Sequence, residues 1–149
     1  MRLEQLDRDG KVAFDIADKT DRLDILLNNA ARGITTQQLA NGEVDLHMAQ
    51  NHMGHVVLTS HLLPLLKKTA SRKYCSNRKP RFERPRSAPK DTKFESIEQL
   101  NMDYGPMAQC GRSKLAAILY SRYLARHLTS TRPNILANAT HPGSGDETK

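Results

Sequence analysis

The chain has 149 residues, 38% of them apolar, 5% aromatic and none tryptophan, which suits one domain with a core of its own and excludes collagen-like, disulfide-dense and transmembrane classes. No apolar stretch reaches the roughly 18 residues that span a bilayer, and the start MRLEQLDRDGK is charged where a secretory signal would be apolar, so a cytoplasmic protein is expected. The formal charge of +7 is concentrated in one segment: residues 71–93 hold nine Lys or Arg against Glu83 and Asp91, which leaves the remainder neutral.

Val12, Phe14, Ile16 and Ala17 lead into the charged run Asp18 to Arg22 and predict the end of a surface helix. Leu23 to Leu27 is a short apolar run closed by Asn28-Asn29. It predicts a buried parallel strand, since both faces of such a strand are covered and its pattern need not alternate. Ala30 to Asn41, with Gly33 and two threonines, reads as a loop. Glu43 to about Lys68 predicts a long helix whose second half, apolar nearly all round, is buried against a sheet, with a possible kink at Pro64 and with Lys67 and Lys68 at the negative end of its dipole.

The basic segment also holds Pro80, Pro85 and Pro89, which break helices and withdraw donors from strands, so about 71–89 reads as a basic, irregular insert. Only Tyr74 and Phe82 interleave its charges, a poor supply for a stacking platform, and a nucleic-acid partner is not expected. After it, Ser96-Ile97-Glu98-Gln99 has the form of a capping box and predicts a short helical turn. Pro106 precedes a second long helix, roughly Ala108 to Leu128, with Leu115, Ile118, Leu119, Tyr123, Leu124 and Leu128 at three- and four-residue spacing. Pro133 stops it, and Ile135 to Thr140 predicts a further strand ended by His141-Pro142-Gly143. This element order predicts an α/β doubly wound parallel sheet.

Three places along this order carry chemistry. Asn28-Asn29-Ala30-Ala31 follows the predicted strand at its carboxyl end, where open α/β sheets bind ligands, though such an exit also suits an ordinary turn. Asn51-His52-Met53-Gly54-His55 sets an amide and two imidazoles inside a helix; without a third ligand the pair predicts no metal site. Cys110 and Lys114 lie one turn apart on a helix, and a lysine favours the charged form of an acidic neighbour, which readies it for proton transfer. Cys75 and Cys110 read as free thiols.

Taken in order, Asn28-Asn29-Ala30-Ala31, Asn51-x-x-Gly54 with Val57-Leu58-Thr59, Gly111-x-Ser113-Lys114-Leu115-Ala116 and His141-Pro142-Gly143 resemble the short-chain dehydrogenase/reductase family, in the flavour of its retinol-dehydrogenase-like and WW-domain-oxidoreductase-like members. The resemblance covers about 10–70 and 90–143. It implies a Rossmann-type sheet, NADP or NAD as cofactor, and hydride transfer between the nicotinamide and an alcohol or carbonyl, retinol or another small carbonyl. By position it implies that Asn28 and Ala30 line the adenosine side of the cofactor pocket. Asn51 would hold a water in the proton relay, Lys114 would bind the ribose hydroxyls and lower the pKa of the catalytic acid, and Pro142 and Gly143 would border the nicotinamide.

The chain departs from that pattern. Cys110 stands where the family has its catalytic tyrosine, four residues before Lys114, and a thiol lacks the ring that carries a phenol oxygen to substrate. Ser71, Ser76 and Ser87 are the candidates for the family's serine, yet none follows an apolar strand. No Gly-x-x-x-Gly-x-Gly or Gly-x-Gly-x-x-Gly occurs, so the amide-lined turn for a pyrophosphate is absent. The expectation is therefore an incomplete Rossmann-type domain, 1–149, lacking the first strands and the C-terminal part, with impaired catalysis. The alternative is a non-catalytic fragment that pairs with itself or with a full-length relative.

Overall fold

The computed structural model describes residues 3–40, 43–70, 85–131 and 134–140. The expectations for the basic insert up to residue 84, and for His141, Pro142 and Gly143, lie outside the described residues.

Helix α1 (Leu3–Lys19) runs to the charged segment that was expected to end it. Two short antiparallel strands, β1 (Leu39–Ala40) and β2 (Val44–Asp45), form a hairpin in which Leu39 faces Asp45 and Ala40 faces Val44. The long helix follows in three parts: α2 (Leu46–Met48), a π-helical turn Ala49–Met53, and α3 (Gly54–Ala70), with Pro64 inside α3. It begins later than Glu43 because Asp45 is its cap, accepting from the backbone N–H groups of His47 and Met48.

Helix α4 (Ile97–Asn101) opens on the predicted box: Ser96 accepts from the Gln99 N–H at 3.3 Å, and Gln99 Oε1 accepts from the Glu95 N–H at 3.0 Å. Gly105, at φ 81°, turns the chain into α5 (Pro106–Thr131), with Pro106 at the first helical position.

Two packing centres hold these elements. α1 and α3 bury Ala13, Leu62 and Leu65, and the edge of the Phe14 ring meets His61 at 5.4 Å. Val44, Met48 and Ala116 form the second centre, where Met53, Phe94 and Leu100 pack around the crossing of the hairpin, the π turn and α5.

The sheet expectations require correction. Among the described residues the one sheet is the antiparallel hairpin. Leu23 to Leu27 and Ile135 to Thr140 are extended chain without a ladder, and Ile25 and Leu27 are 80% and 79% exposed. α3 buries its apolar residues against α1 instead of a sheet. A parallel strand is completed by neighbours from distant sequence, and among the described residues none lies beside these two segments. Leu23 is tied to α3, its N–H donating to Thr69 Oγ1 at 2.9 Å.

Candidate active site

Asn51 sits in the π turn, where the helix is widened by one residue, a distortion found often at functional sites. Its side chain is buried and fully used. Oδ1 accepts from the Arg32 N–H at 2.6 Å, and Nδ2 donates to the Arg32 carbonyl at 3.2 Å and to Ser113 Oγ at 2.9 Å. The carboxamide thus mimics a backbone pair toward the loop after Asn28-Asn29 and joins that loop to α5.

On α5, Ser113 is wholly buried and passes the connection on, its hydroxyl donating to the Cys110 carbonyl at 2.8 Å. Cys110 is half-buried and its thiol is free, while Lys114 is exposed. Asn51 is therefore tied through Ser113 to the α5 backbone at Cys110, with Lys114 one turn beyond on the same helix. Gly111 gives the close approach that seats the preceding segment: a Cβ there would come within 2.6 Å of the Ser87 carbonyl carbon and 2.7 Å of the Ala88 nitrogen. Ser87, the described member of the three candidate serines, lies against α5 one residue past Cys110.

Asn28 is placed apart from this group. It is exposed, and its Nδ2 donates to Thr59 Oγ1 at 2.8 Å, two turns along the helix from Asn51. Ala30 is exposed on the same stretch. Among the described residues no group of three or more ligating side chains comes together. His52 packs edge-on to Tyr120 at 6.0 Å, and burial, with His55 nearby, holds its pKa below the ordinary histidine value.

Two buried residues escaped the sequence reading. Arg112 is 2% exposed; its guanidinium donates to the carbonyls of Gln99, Leu100 and Met102 and to Gln109 Oε1, and it stacks 4.6 Å over Tyr104. Its signal was available, since Arg112 occupies the helical register of Leu115 and Ala116, three and four residues on, where an apolar residue is expected. His47, wholly buried, contacts Gly33 and Thr35 of the loop that Asn51 holds, and little in the sequence marks it.

Comparison with curated proteins finds bli-4 of Neurospora crassa, a mitochondrial protein named as an oxidoreductase, 51% identical over 95% of this chain and 36% of its own length. A short chain dehydrogenase/reductase, dpchH, of Colletotrichum higginsianum is 36% identical over 89% of this chain and 36% of its own length. Human retinol dehydrogenase 14 is 33% identical over 82% of this chain and 34% of its own length. The chain belongs to the short-chain dehydrogenase/reductase family. It spans about a third of the length of these relatives. No family model and no solved structure matches it. Membership implies a Rossmann-like α/β fold, of which the described residues show the helices and not the parallel sheet.

Of the residues that the family resemblance assigns to a ribose and a proton path, Lys114 is exposed on α5 and Asn51 is buried, its Nδ2 donating to Ser113 Oγ on the same helix. Gly10, Gly54 and Gly111 are helical, and Gly33 and Gly105 precede no amide-lined turn after a strand, so among the described residues nothing cradles a pyrophosphate. No helix among the described residues is long and apolar enough to cross a membrane.

Proposed function

We propose that the chain serves the oxidoreduction of its family, NAD(P)-dependent exchange between an alcohol and a carbonyl, with small carbonyls of the retinal kind as the substrate class, and that its turnover is low. The observation that carries this reading is the buried bond from Asn51 Nδ2 to Ser113 Oγ, which fixes Asn51 against α5 where the Cys110 backbone carbonyl accepts from Ser113, one turn before exposed Lys114. When bound, the dinucleotide supplies or accepts the hydride; the part of this chain is the proton. A carbonyl that receives hydride becomes an alkoxide, and a donor placed beside a cation lowers the cost of that charge. Cys110 occupies the donor position, and Lys114 is the cation. The thiol ends short of where a phenol would reach, which is the reason for low turnover. Asn28 and Ala30, with Pro142 and Gly143, complete the proposed cofactor contacts.

The test has two arms. Titration of the full chain with NADPH and NADH, followed by calorimetry, is expected to give weak binding that Lys114→Ala weakens further. Incubation with retinal or a small aldehyde is expected to consume NADPH slowly, and less in Lys114→Ala. Binding indifferent to Lys114, or no consumption at any chain concentration, overturns the reading.

A further inference from the structure

We propose that His47 is a positioning residue for Asn51, acting through the loop of residues 32–35. The proposal rests on the role given to Asn51 above.

The imidazole is 0% exposed and spans from helix to loop. On the loop side Nε2 lies 3.1 Å from the Gly33 carbonyl oxygen and 3.3 Å from Thr35 Oγ1. A carbonyl only accepts, so Nε2 carries the proton and donates to Gly33. On the helix side Nδ1 lies 3.4 Å from Asp45 Oδ1 without a hydrogen bond, and it is the backbone that is fixed there, the N–H groups of His47 and Met48 donating to Asp45 Oδ1 at 3.0 and 3.2 Å. The ring is thus carried by a residue whose backbone is held in the capped start of α2, and it reaches one residue past Arg32.

Arg32 is what Asn51 reads. Both of its backbone groups pair with the carboxamide, and its guanidinium returns to the same loop, Nε donating to Thr35 Oγ1 and Nη2 to Gln38 Oε1, each at 2.8 Å. An amide side chain has two orientations about its last torsion, differing by exchange of oxygen and nitrogen. Ser113 Oγ, its one proton given to the Cys110 carbonyl, accepts from Nδ2 and favours the observed orientation from the α5 side. The Arg32 peptide groups favour it from the loop side, because one donates and the other accepts, and they do so only while the loop is held. Besides Asn51 itself, His47 is a buried side chain that holds the loop from the helix.

The experiment uses the full chain with asparagine-selective nitrogen-15 labelling, the Asn51 side-chain signal being assigned with Asn51→Asp. Exchange of the Nδ2 protons with water is compared across variants. His47→Leu removes the donor to Gly33 and is expected to speed exchange roughly tenfold by loosening the loop. His47→Gln keeps an N–H donor and is expected to stay within about twofold of the parent. Leu62→Ala weakens the α1–α3 contact elsewhere and is expected to leave the signal in place. Unchanged exchange in His47→Leu, a His47→Gln as fast as His47→Leu, or an equal effect of Leu62→Ala overturns the proposal. Should His47→Leu fail to fold, Thr35→Val carries the comparison, with faster exchange supporting and unchanged exchange overturning. None of these readings requires turnover, so a parent chain without any NADPH consumption sinks the proposed function and leaves this result to stand or fall alone.

Discussion

Gly111 shows how a single hydrogen in place of a methyl group sets the approach of two elements. In an exposed helix, Gly→Ala is favourable by roughly 1 kcal/mol. Here the added carbon meets backbone atoms of Ser87 and Ala88 at 2.6 and 2.7 Å, and backbone cannot swing aside as a side-chain tip would. Overpacking of this kind costs about 1–3 kcal/mol, so Gly111→Ala is expected to lower the urea midpoint in spite of its better helix propensity. His52 gives a pH dependence whose sign follows from its surroundings. Burial, reinforced by His55, holds its folded pKa below the ordinary 6.5, so the native state binds fewer protons than the unfolded one below that value. Its contribution is present above pH 6.5 and is lost as the pH falls from there toward the folded value. His52→Phe, which keeps a ring against Tyr120, is expected to flatten that limb of a stability-against-pH curve measured by denaturant melts.

The elements that could be read from the sequence are those whose signals are local. The Ser96 box, the run into Lys19 and the apolar spacing of α5 each describe bonds made within a few residues, and each element formed where expected. Leu23 to Leu27 is the opposite case. Its five residues carry the composition of a central strand, but the ladder that would bury Ile25 and Leu27 belongs to other stretches of chain, and composition alone does not supply it. α4 combines both kinds of signal: Ser96 starts it by a local rule, whereas its last carbonyls are closed by Arg112 from another helix. Arg112→Met removes those donors from buried carbonyls and is expected to cost roughly 2 kcal/mol, read as lost exchange protection at the Leu100 amide, which donates to Ser96. Arg112→Lys, a point charge in place of a planar fork, should recover only part of it.

At the scale of the whole molecule the site is a set of parts with unequal legibility. Asn51 and Lys114 were marked by sequence, and Asn51 is bonded to Ser113, the residue before Lys114 on α5; Asn28 was marked and lies elsewhere on Thr59, and His47 and Arg112 were found only once the fold brought distant residues to them. The departure most visible in the sequence is Cys110. Cys110→Tyr would return a phenol to the position one turn before Lys114, where a nearby ammonium favours the phenolate and so prepares it for proton transfer. The substitution supplies one donor and nothing for the pyrophosphate. Groups that act as a unit are strongly non-additive, and one restored member among missing partners recovers little. Cys110→Tyr is therefore expected to consume NADPH with retinal or a small carbonyl no faster than the parent chain. A clear gain would assign the second donor to Ser87, seated against Gly111 one residue along α5, and that assignment would require the gain to vanish in the double variant Cys110→Tyr with Ser87→Ala.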